Sequence, residues 1–285
     1  MGYNAPMKFY TLLEQALSSE DIEDKESICD RLLAYCNENN TKIDYKDELD
    51  DKFAPKTFAT PSYASFCQIV SPRDLPRRKH FDTNEGLAIL VHAIAHIEFS
   101  AIDLALDAVY RFSQMPREYD VDWLLVARDE IRHFKILNAI LEELGYKYGD
   151  FPVHQGLFDA SVHARDDVLE RMAVIPRHYE ATGLDVNPQI IQKLQPYAKK
   201  KIVSNIIESL QMIEREEIAH VSKGDKWFRR ECQRRGLEAE ETFRKILDKY
   251  TLLRKRPHMN ISARKAAGFS CDELLKLGAK QCVDD

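Results

Sequence analysis

The chain contains two copies of the short motif Glu-x-x-His, and this duplication restricts the fold more than any other feature. The first copy pairs Glu130 with His133, and the second pairs Glu217 with His220. Across residues 128–133 and 215–220, five of six positions match in chemical type. A carboxylate and an imidazole three residues apart project from the same face of a helix. The repetition therefore predicts an internal duplication with one ligand-bearing helix in each half.

Both motif carboxylates fall on the apolar side of their helices. At about 100° per residue, Glu130 shares its stripe with Val126 and Leu137, and Glu217 shares its stripe with Ile213 and Val221. A single Glu-x-x-His match is usually a solvated pair on a polar face. An uncompensated charge in an apolar stripe is costly, so two such matches favour metal binding. Two helices of this kind, each facing another Glu-bearing helix, are typical of an all-α four-helix bundle that holds two metal ions.

Each motif requires a partner carboxylate upstream. In the first half Glu98 is the candidate, because apolar residues surround it on its helix face. In the second half Glu180 and Glu170 compete, with Glu214 as an outside candidate. The spacing of His96, Glu98 and Asp103 recurs identically in His178, Glu180 and Asp185. Glu180 also precedes its motif by 37 residues, close to the 32 of the first half, whereas Glu170 would need 47. These comparisons favour Glu180.

The predicted ligand set contains only oxygen and nitrogen donors. Its members are Glu98, Glu130, His133, Glu180, Glu217 and His220. Such donors suit iron or manganese and argue against structural zinc or copper(I). Four glutamates also neutralise two divalent cations. We therefore predict two iron ions, with manganese as the alternative metal; a metal hydrolase would draw more His and Asp from loops.

Six further polar residues are predicted to support the ligands rather than to bind metal: His96, Asp103, His178, Asp185, Arg128 and Arg215. His92 and His96 lie about 120° and 160° away from Glu98 around a regular helix. They could join its site only through a π-bulge. With Asp103 they form a second polar stripe, expected to pair with an arginine at position 73, 77 or 78.

Helical periodicity dominates the chain, and no segment reads as a strand. Two short helices are expected between Met7 and Asn39, with Ser19 or Asp21 as the N-cap of the second. A Pro-punctuated arm follows over residues 40–83, read as docked on the bundle rather than as a disordered linker. We predict the N-terminal helices and arm over 1–82, the bundle over 83–236 and a helical extension over 237–285. The bundle helices are expected at Thr83–Phe112, Glu118–Leu144, Ala160–Thr182 (ending at Gly183) and from Pro196 to Arg235, with a short helix opened by Pro188.

Composition narrows the functional classes. A net charge of −6 and a pI near 5.9 give no global field that favours nucleic acid. No signal peptide is recognisable, and the longest apolar run, Leu87–Ile97, is too short to span a bilayer. The six cysteines have no Cys-x-x-Cys spacing and are read as reduced thiols. The chain is therefore predicted to be cytoplasmic, without a membrane partner and with nucleic acid as a disfavoured one.

The stretch from Asp74 to Phe269 resembles DUF455, a bacterial family of uncharacterised ferritin-like proteins. The matching sequence segments lie at residues 92–98, 101–112, 148–152, 171–177, 183–185 and 227–228. The resemblance covers about two-thirds of the chain and implies a ferritin-like fold. Members of that family repeatedly have a Glu before the Gly-Leu-Asp motif, here residues 183–185, which supports Glu180. Thr182 stands where members often carry Arg, so a role for that Arg does not transfer. A more distant similarity is to the di-iron tRNA hydroxylase that acts on a methylthio-isopentenyl adenosine.

These features lead to an oxygen-dependent di-iron oxidoreductase or hydroxylase as the first hypothesis. Its substrate would be a small molecule or modified nucleoside. No dinucleotide fingerprint is present, so a separate protein is expected to supply electrons. The alternatives are a non-catalytic protein that stores or buffers iron and a bundle whose metal serves only stability. The DUF455 resemblance does not choose among them, because that family has no assigned reaction.

Overall fold

The computed structural model describes residues 9–37, 46, 53–254 and 258–282. Within these ranges the protein is all-α, as predicted, and the only strand-like feature is an isolated parallel bridge between Ile69 and Val153. The chain forms two compact units, residues 1–158 and 159–285.

The first unit contains four long or medium helices and the start of a fifth. They are α1 (Phe9–Ser18), α2 (Ile22–Asn37), α3 (Asn84–Arg111), α4 (Arg117–Glu143) and α5 (Gly156–His163), with 3-10 turns at Ser62–Ser65 and Pro72–Asp74. The second unit contains α6 (Val168–Val174), a π-helix (Ile175–Glu180), α7 (Ala181–Leu194), a 3-10 turn (Gln195–Tyr197), α8 (Lys201–Arg235), α9 (Ala239–Lys249), α10 (Ile261–Ala266) and α11 (Cys271–Lys276). Of these, the π-helix and α10 have no counterpart in the sequence prediction.

The ends of the principal helices follow the predicted capping residues. Asp21 caps α2 by accepting the Glu23 backbone N–H at 2.7 Å. Thr83 caps α3 by accepting the Gly86 N–H at 3.0 Å. Gly236 ends α8 in the left-handed conformation, with φ of 66°. A side-chain acceptor at the N-terminus and a glycine at the C-terminus satisfy backbone groups that the helix cannot satisfy itself.

The helices α3 and α4 form the centre of the first unit. Residues 112–116 connect them, so the short link turns α4 back antiparallel to α3, and α2 packs against the pair. Lys25 of α2, fully buried, reaches Asp103 of α3 at 2.6 Å. By length and composition α3 could cross a membrane, but 72% of its most apolar window is buried inside the protein. Such burial is typical of a helix packed in a protein core.

Aromatic side chains join the described part of the arm, residues 53–83, to the first unit. Phe53 contacts Tyr110 of α3, with ring centroids 5.8 Å apart. Tyr63, only 1% exposed, meets the His96 ring edge-on at 4.7 Å. Burial of these rings stabilises the docked arm against the entropy of a free segment.

The third helical stretch differs from the prediction. Instead of one helix over Ala160–Thr182, the chain breaks between α5 and α6, where Asp167 accepts the Leu169 N–H and is held by Arg235. Gly183 does not end a helix, because α7 continues through it to Leu194.

Pro188 also lies inside α7, although proline removes a helix hydrogen bond. The carbonyl left without its usual donor is that of Leu184, four residues earlier. Asn260 donates to this carbonyl through Nδ2 at 3.3 Å. A side chain 76 residues away in sequence thus replaces the missing N–H, which no local sequence pattern reveals.

The expectation of six reduced cysteines is wrong for one pair. Cys271 and Cys282 form a disulfide bond in the second unit. Their separation of 11 residues in sequence resembles no standard thiol motif, and only the fold places them together. Cys29, Cys36, Cys67 and Cys232 are free and buried.

Candidate metal centre

The first half of the candidate site lies within the α3–α4 pair. Glu98 of α3 is 6% exposed, and Glu130 and His133 of α4 are 1% and 0% exposed. One possible ligand atom from each lies within 4.8 Å of the others. His133 Nδ1 is 3.2 Å from Glu98 Oε2 and 3.5 Å from Glu130 Oε2. Two carboxylates and one imidazole thus converge in the interior, a group that can hold a metal ion.

The helical hairpin accounts for this convergence. Glu130 and His133 are one turn apart on α4, and the antiparallel return brings Glu98 opposite them. The next residue on each helix is aromatic, and the Phe99 and Phe134 rings pack edge-on at 5.1 Å. Both rings are almost fully buried, and electrostatic interactions are strong in such a low-dielectric interior.

The charge state of His133 reflects its two carboxylate neighbours. Burial by itself would lower the pKa of the imidazole, but hydrogen bonding and charge from Glu130 and Glu98 raise that pKa to about 11. In metal-free protein the imidazolium compensates part of the buried negative charge. A metal cation would take over that compensation and release the proton, since His binds metal in its neutral form.

The second Glu-x-x-His pair is on α8, in the second unit. His220 is fully buried, and its Nδ1 lies 3.2 Å from Glu217 Oε1. The Glu217 side chain is 14% exposed, compared with 1% for Glu130. The i,i+3 geometry predicted from the motif is present in both copies, with a more accessible carboxylate in the second.

Glu180 closes the π-helix Ile175–Glu180 and is half-buried. Pro176, near the start of this turn, lacks the N–H that a regular helix needs there. It lies close to Gly224 of α8, since a Cβ built on Gly224 would be 2.2 Å from the Pro176 Cβ. A wider turn inserts one residue and rotates every later side chain by about 100°. The π-helix therefore sets the direction of Glu180 relative to α6.

The two rival carboxylates have other partners. Glu170 accepts hydrogen bonds from Lys249 Nζ at 2.5 and 2.8 Å and from the Tyr250 hydroxyl at 2.5 Å. Glu214 accepts one from Asn260 Nδ2 at 3.0 Å. Glu170 therefore connects α6 to the end of α9, and Glu214 connects α8 to Asn260 before α10.

The residues predicted to support the ligands occupy different surroundings. Asp103 binds Lys25 and the Ser62 hydroxyl, so the predicted pairing of this stripe with Arg73, Arg77 or Arg78 is wrong. Asp185 forms a bidentate ion pair with Arg264 at 2.9 and 2.7 Å. Of the remaining predicted residues, His178 is buried beside Tyr179, whereas Arg128 and Arg215 are exposed.

His92 and His96 are neutral structural residues on α3. His96 Nδ1 lies 2.9 Å from the Tyr148 hydroxyl, and its Nε2 lies 2.8 Å from the His154 carbonyl. The Gly149 N–H donates to His92 Nε2. Burial lowers the pKa of both imidazoles to about 4. As predicted from the helix phase, their contacts lie away from Glu98.

Sequence reasoning did not identify two residues that make several contacts, one in each unit. Tyr148 packs against the Phe99 and Phe134 rings, with centroid distances of 5.3 and 5.0 Å, and its hydroxyl lies 2.9 Å from His96 Nδ1. Arg177 is fully buried in the π-helix and carries two carboxylate partners, Asp225 and Glu273. Tyr148 belongs to a loop and Arg177 to an irregular helix, so periodicity gave no signal for either.

Comparisons with known proteins agree on the relationship of the chain. A family model described as "Protein of unknown function (DUF455)" matches residues 18–275. An uncharacterized protein of Haemophilus influenzae is 42% identical over 213 residues, which cover 72% of each chain. No solved structure matches. The family match covers nearly the entire sequence and the relative is closely similar, so the chain belongs to the DUF455 family.

Proposed function

We propose that this protein is a ferritin-like di-iron oxidoreductase that uses dioxygen to oxidise or hydroxylate an organic substrate. The buried group formed by Glu98, Glu130 and His133 carries the proposal. Two carboxylates and an imidazole meet among the buried side chains of a helical pair, where such charges are costly unless a cation compensates them.

Two iron ions per chain, with manganese as the alternative, are proposed from the duplication of the motif. The ligands are Glu98, Glu130, His133, Glu180, Glu217 and His220. Engagement of Glu170 by Lys249 and Tyr250 supports Glu180 as the remaining carboxylate. Oxygen and nitrogen donors without thiolate are the set that iron and manganese accept in proteins.

When bound, the iron pair would supply electron transfer to dioxygen, and the chain would supply position and environment. Glu98, Glu130 and His133 fix the ligand geometry on two packed helices. The near-complete burial of these three side chains would keep water from a bound ion. His133 would give up its proton on metal loading. A small molecule or modified nucleoside remains the proposed substrate, with a separate protein as electron donor and the cytoplasm as the location.

Anaerobic loading with Fe²⁺ followed by exposure to dioxygen tests the proposal. We expect about two irons per chain by elemental analysis and single-turnover oxidation within seconds, followed by absorption and Mössbauer spectroscopy. Slow uptake of many irons per chain would instead establish the storage alternative. Bound metal that does not react with dioxygen would leave a structural role and refute the oxidoreductase.

A further inference from the structure

The Cys271–Cys282 disulfide connects the end of the described chain to the start of α11. The two cysteines are 11 residues apart in sequence, and the loop that they close contains all of α11 (Cys271–Lys276). A helix of six residues is not stable in water by itself. It therefore depends on its capping, its packing and this bond, because a disulfide restricts the disordered alternatives of the loop that it closes. Reduction of the bond should act on α11 first.

Of the two bonded cysteines, Cys282 is the more accessible to a reductant. It is half-buried, whereas Cys271 is 6% exposed. The other four cysteines are free and buried. Burial raises the pKa of Cys29 to about 12 and the pKa of Cys67 and Cys232 to about 11. Because the thiolate rather than the thiol attacks a disulfide, these thiols take little part in exchange, and a redox change is confined to the bonded pair.

The helix α11 carries a carboxylate into the interior of the second unit. Glu273 is 3% exposed and accepts from Arg177 Nη2 at 2.7 Å and from Arg229 Nη2 at 3.2 Å. Its backbone N–H donates to the Ser270 hydroxyl at 3.0 Å, as part of a capping box. The position of this carboxylate thus depends on α11 remaining folded.

Arg177 connects Glu273 to the π-helix Ile175–Glu180, in which it is fully buried. Its Nε lies 2.8 Å from Asp225 Oδ1, so the guanidinium has two carboxylate partners. Three phenylalanine rings surround the guanidinium, whose central carbon lies 4.2 to 4.6 Å from their centroids. Removal of one partner from a buried ion pair leaves charge uncompensated and is strongly destabilising. Loss of Glu273 from this position should therefore destabilise the π-helix.

We propose that the Cys271–Cys282 bond is a redox-sensitive device whose reduction destabilises α11 and, through Glu273 and Arg177, the π-helix. A dithiol supplies the reducing equivalents. Its first thiolate attacks Cys282 Sγ, forms a mixed disulfide and releases Cys271 as a thiolate, which takes up a proton. The second thiol of the reductant loses its proton and displaces the Cys282 thiolate, which is protonated in turn. The reductant becomes a disulfide, and two electrons and two protons pass to the chain.

Glu180 is the last residue of the same π-helix. The device would therefore regulate the proposed metal centre, a consequence that rests on the proposed function. The change in α11 and in the π-helix does not rest on it, since neither the disulfide nor the Glu273–Arg177 contact includes a proposed ligand.

Hydrogen–deuterium exchange of the full chain without added metal, followed by mass spectrometry with and without dithiothreitol, tests the proposal. Alkylation with iodoacetamide in denaturant should count four thiols before reduction and six after it. We expect peptides from α11 and from the π-helix to exchange about tenfold faster or more after reduction. Peptides from α4, in the first unit, should keep their exchange rates.

Cys282→Ser is the matched control, because it removes the bond without a reductant. Its exchange should equal that of the reduced parent and should not respond to dithiothreitol. Glu273→Gln keeps a residue type that suits the capping box but removes the charge beside Arg177. In this variant the π-helix should exchange faster with the bond intact, and reduction should then accelerate α11 alone.

Six thiols before reduction, or a bond that dithiothreitol does not reduce in the native chain, would overturn the proposal. Unchanged π-helix exchange after reduction or in Glu273→Gln would also overturn it, as would an equal response to dithiothreitol in Cys282→Ser and the parent. None of these measurements uses metal, so a failure of iron loading would refute the proposed function and leave this result unaffected.

Discussion

The two Glu-x-x-His copies are alike in sequence but differ in the helices that carry and accompany them. The first copy lies on an uninterrupted helix, α4, and its partner Glu98 lies on another, α3. The second copy lies on uninterrupted α8, whereas its proposed partner Glu180 ends a π-helix between two short helices. The helix that carries the partner carboxylate is thus regular for the first motif and irregular for the second.

The two copies also differ in how deeply their carboxylates are buried. Glu130 is 1% exposed and His133 has both carboxylate neighbours within 3.5 Å. The Glu217 side chain is 14% exposed, and its Oε1 lies 3.2 Å from His220 Nδ1. In regular helices, periodicity alone brings the candidate ligand side chains together. In an irregular helix, packing against neighbouring segments decides where a carboxylate lies. The first copy should therefore tolerate changes in its surroundings better than the second.

Removal of a motif ligand should have the largest effect. Glu130→Ala and His220→Ala should each lower metal content well below two per chain, because each would remove a proposed ligand from one copy. Elemental analysis after anaerobic iron loading gives the measurement. Glu142→Ala and Glu208→Ala, which remove exposed carboxylates from the same two helices, serve as controls with unchanged content. Full loading of either ligand variant would refute the duplicated site.

The third-helix assignment is tested by a pair of carboxylate variants. Glu180→Ala should lower iron content, whereas Glu170→Ala should retain it, because Glu170 is engaged by Lys249 and Tyr250. Loss of this partly exposed ion pair should cost at most about 1 kcal/mol of unfolding free energy. Metal loss in Glu170→Ala together with full content in Glu180→Ala would reverse the assignment.

Packing of the π-helix predicts a smaller effect, on stability. Gly224→Ala places a methyl group 2.2 Å from the Pro176 Cβ and should lower the unfolding free energy by about 1–3 kcal/mol. Gly183→Ala is the matched control, since nothing lies within 4 Å of its added Cβ and alanine favours a helix interior by about 0.5–1 kcal/mol. Urea denaturation measures both. Equal stability of the two variants would argue against close π-helix packing.

A pH effect on stability is expected in the first unit. Burial lowers the pKa of His92 and His96 to about 4, so below about pH 6.5 the unfolded chain takes up protons that the folded chain refuses. Unfolding free energy should therefore fall as pH drops from about 6.5 to 4. His96→Asn should be less stable at neutral pH and show a shallower decline in that window. Superimposable slopes for parent and variant denaturation curves would contradict this account.

The sequence alone predicted the helical class, the capped start of α3 and the convergence of Glu98, Glu130 and His133. Regular helices repeat every 3.6 residues, so the spacing of Glu130 and His133 fixes their common face. A short link between two long helices then places Glu98 opposite them. Local rules were sufficient there because no residue of that group lies on an irregular segment.

Tertiary structure decided what those rules could not. Pro188 continues inside α7 because Asn260 satisfies the Leu184 carbonyl, and the π-helix that directs Glu180 fits beside Gly224. The Cys271–Cys282 bond and the position of Arg177 in its aromatic enclosure also depend on residues far apart in sequence. In each case a contact between distant segments supplies the hydrogen bond, the space or the counter-charge that local sequence lacks. Contacts between distant segments produce no periodic pattern in the amino-acid sequence.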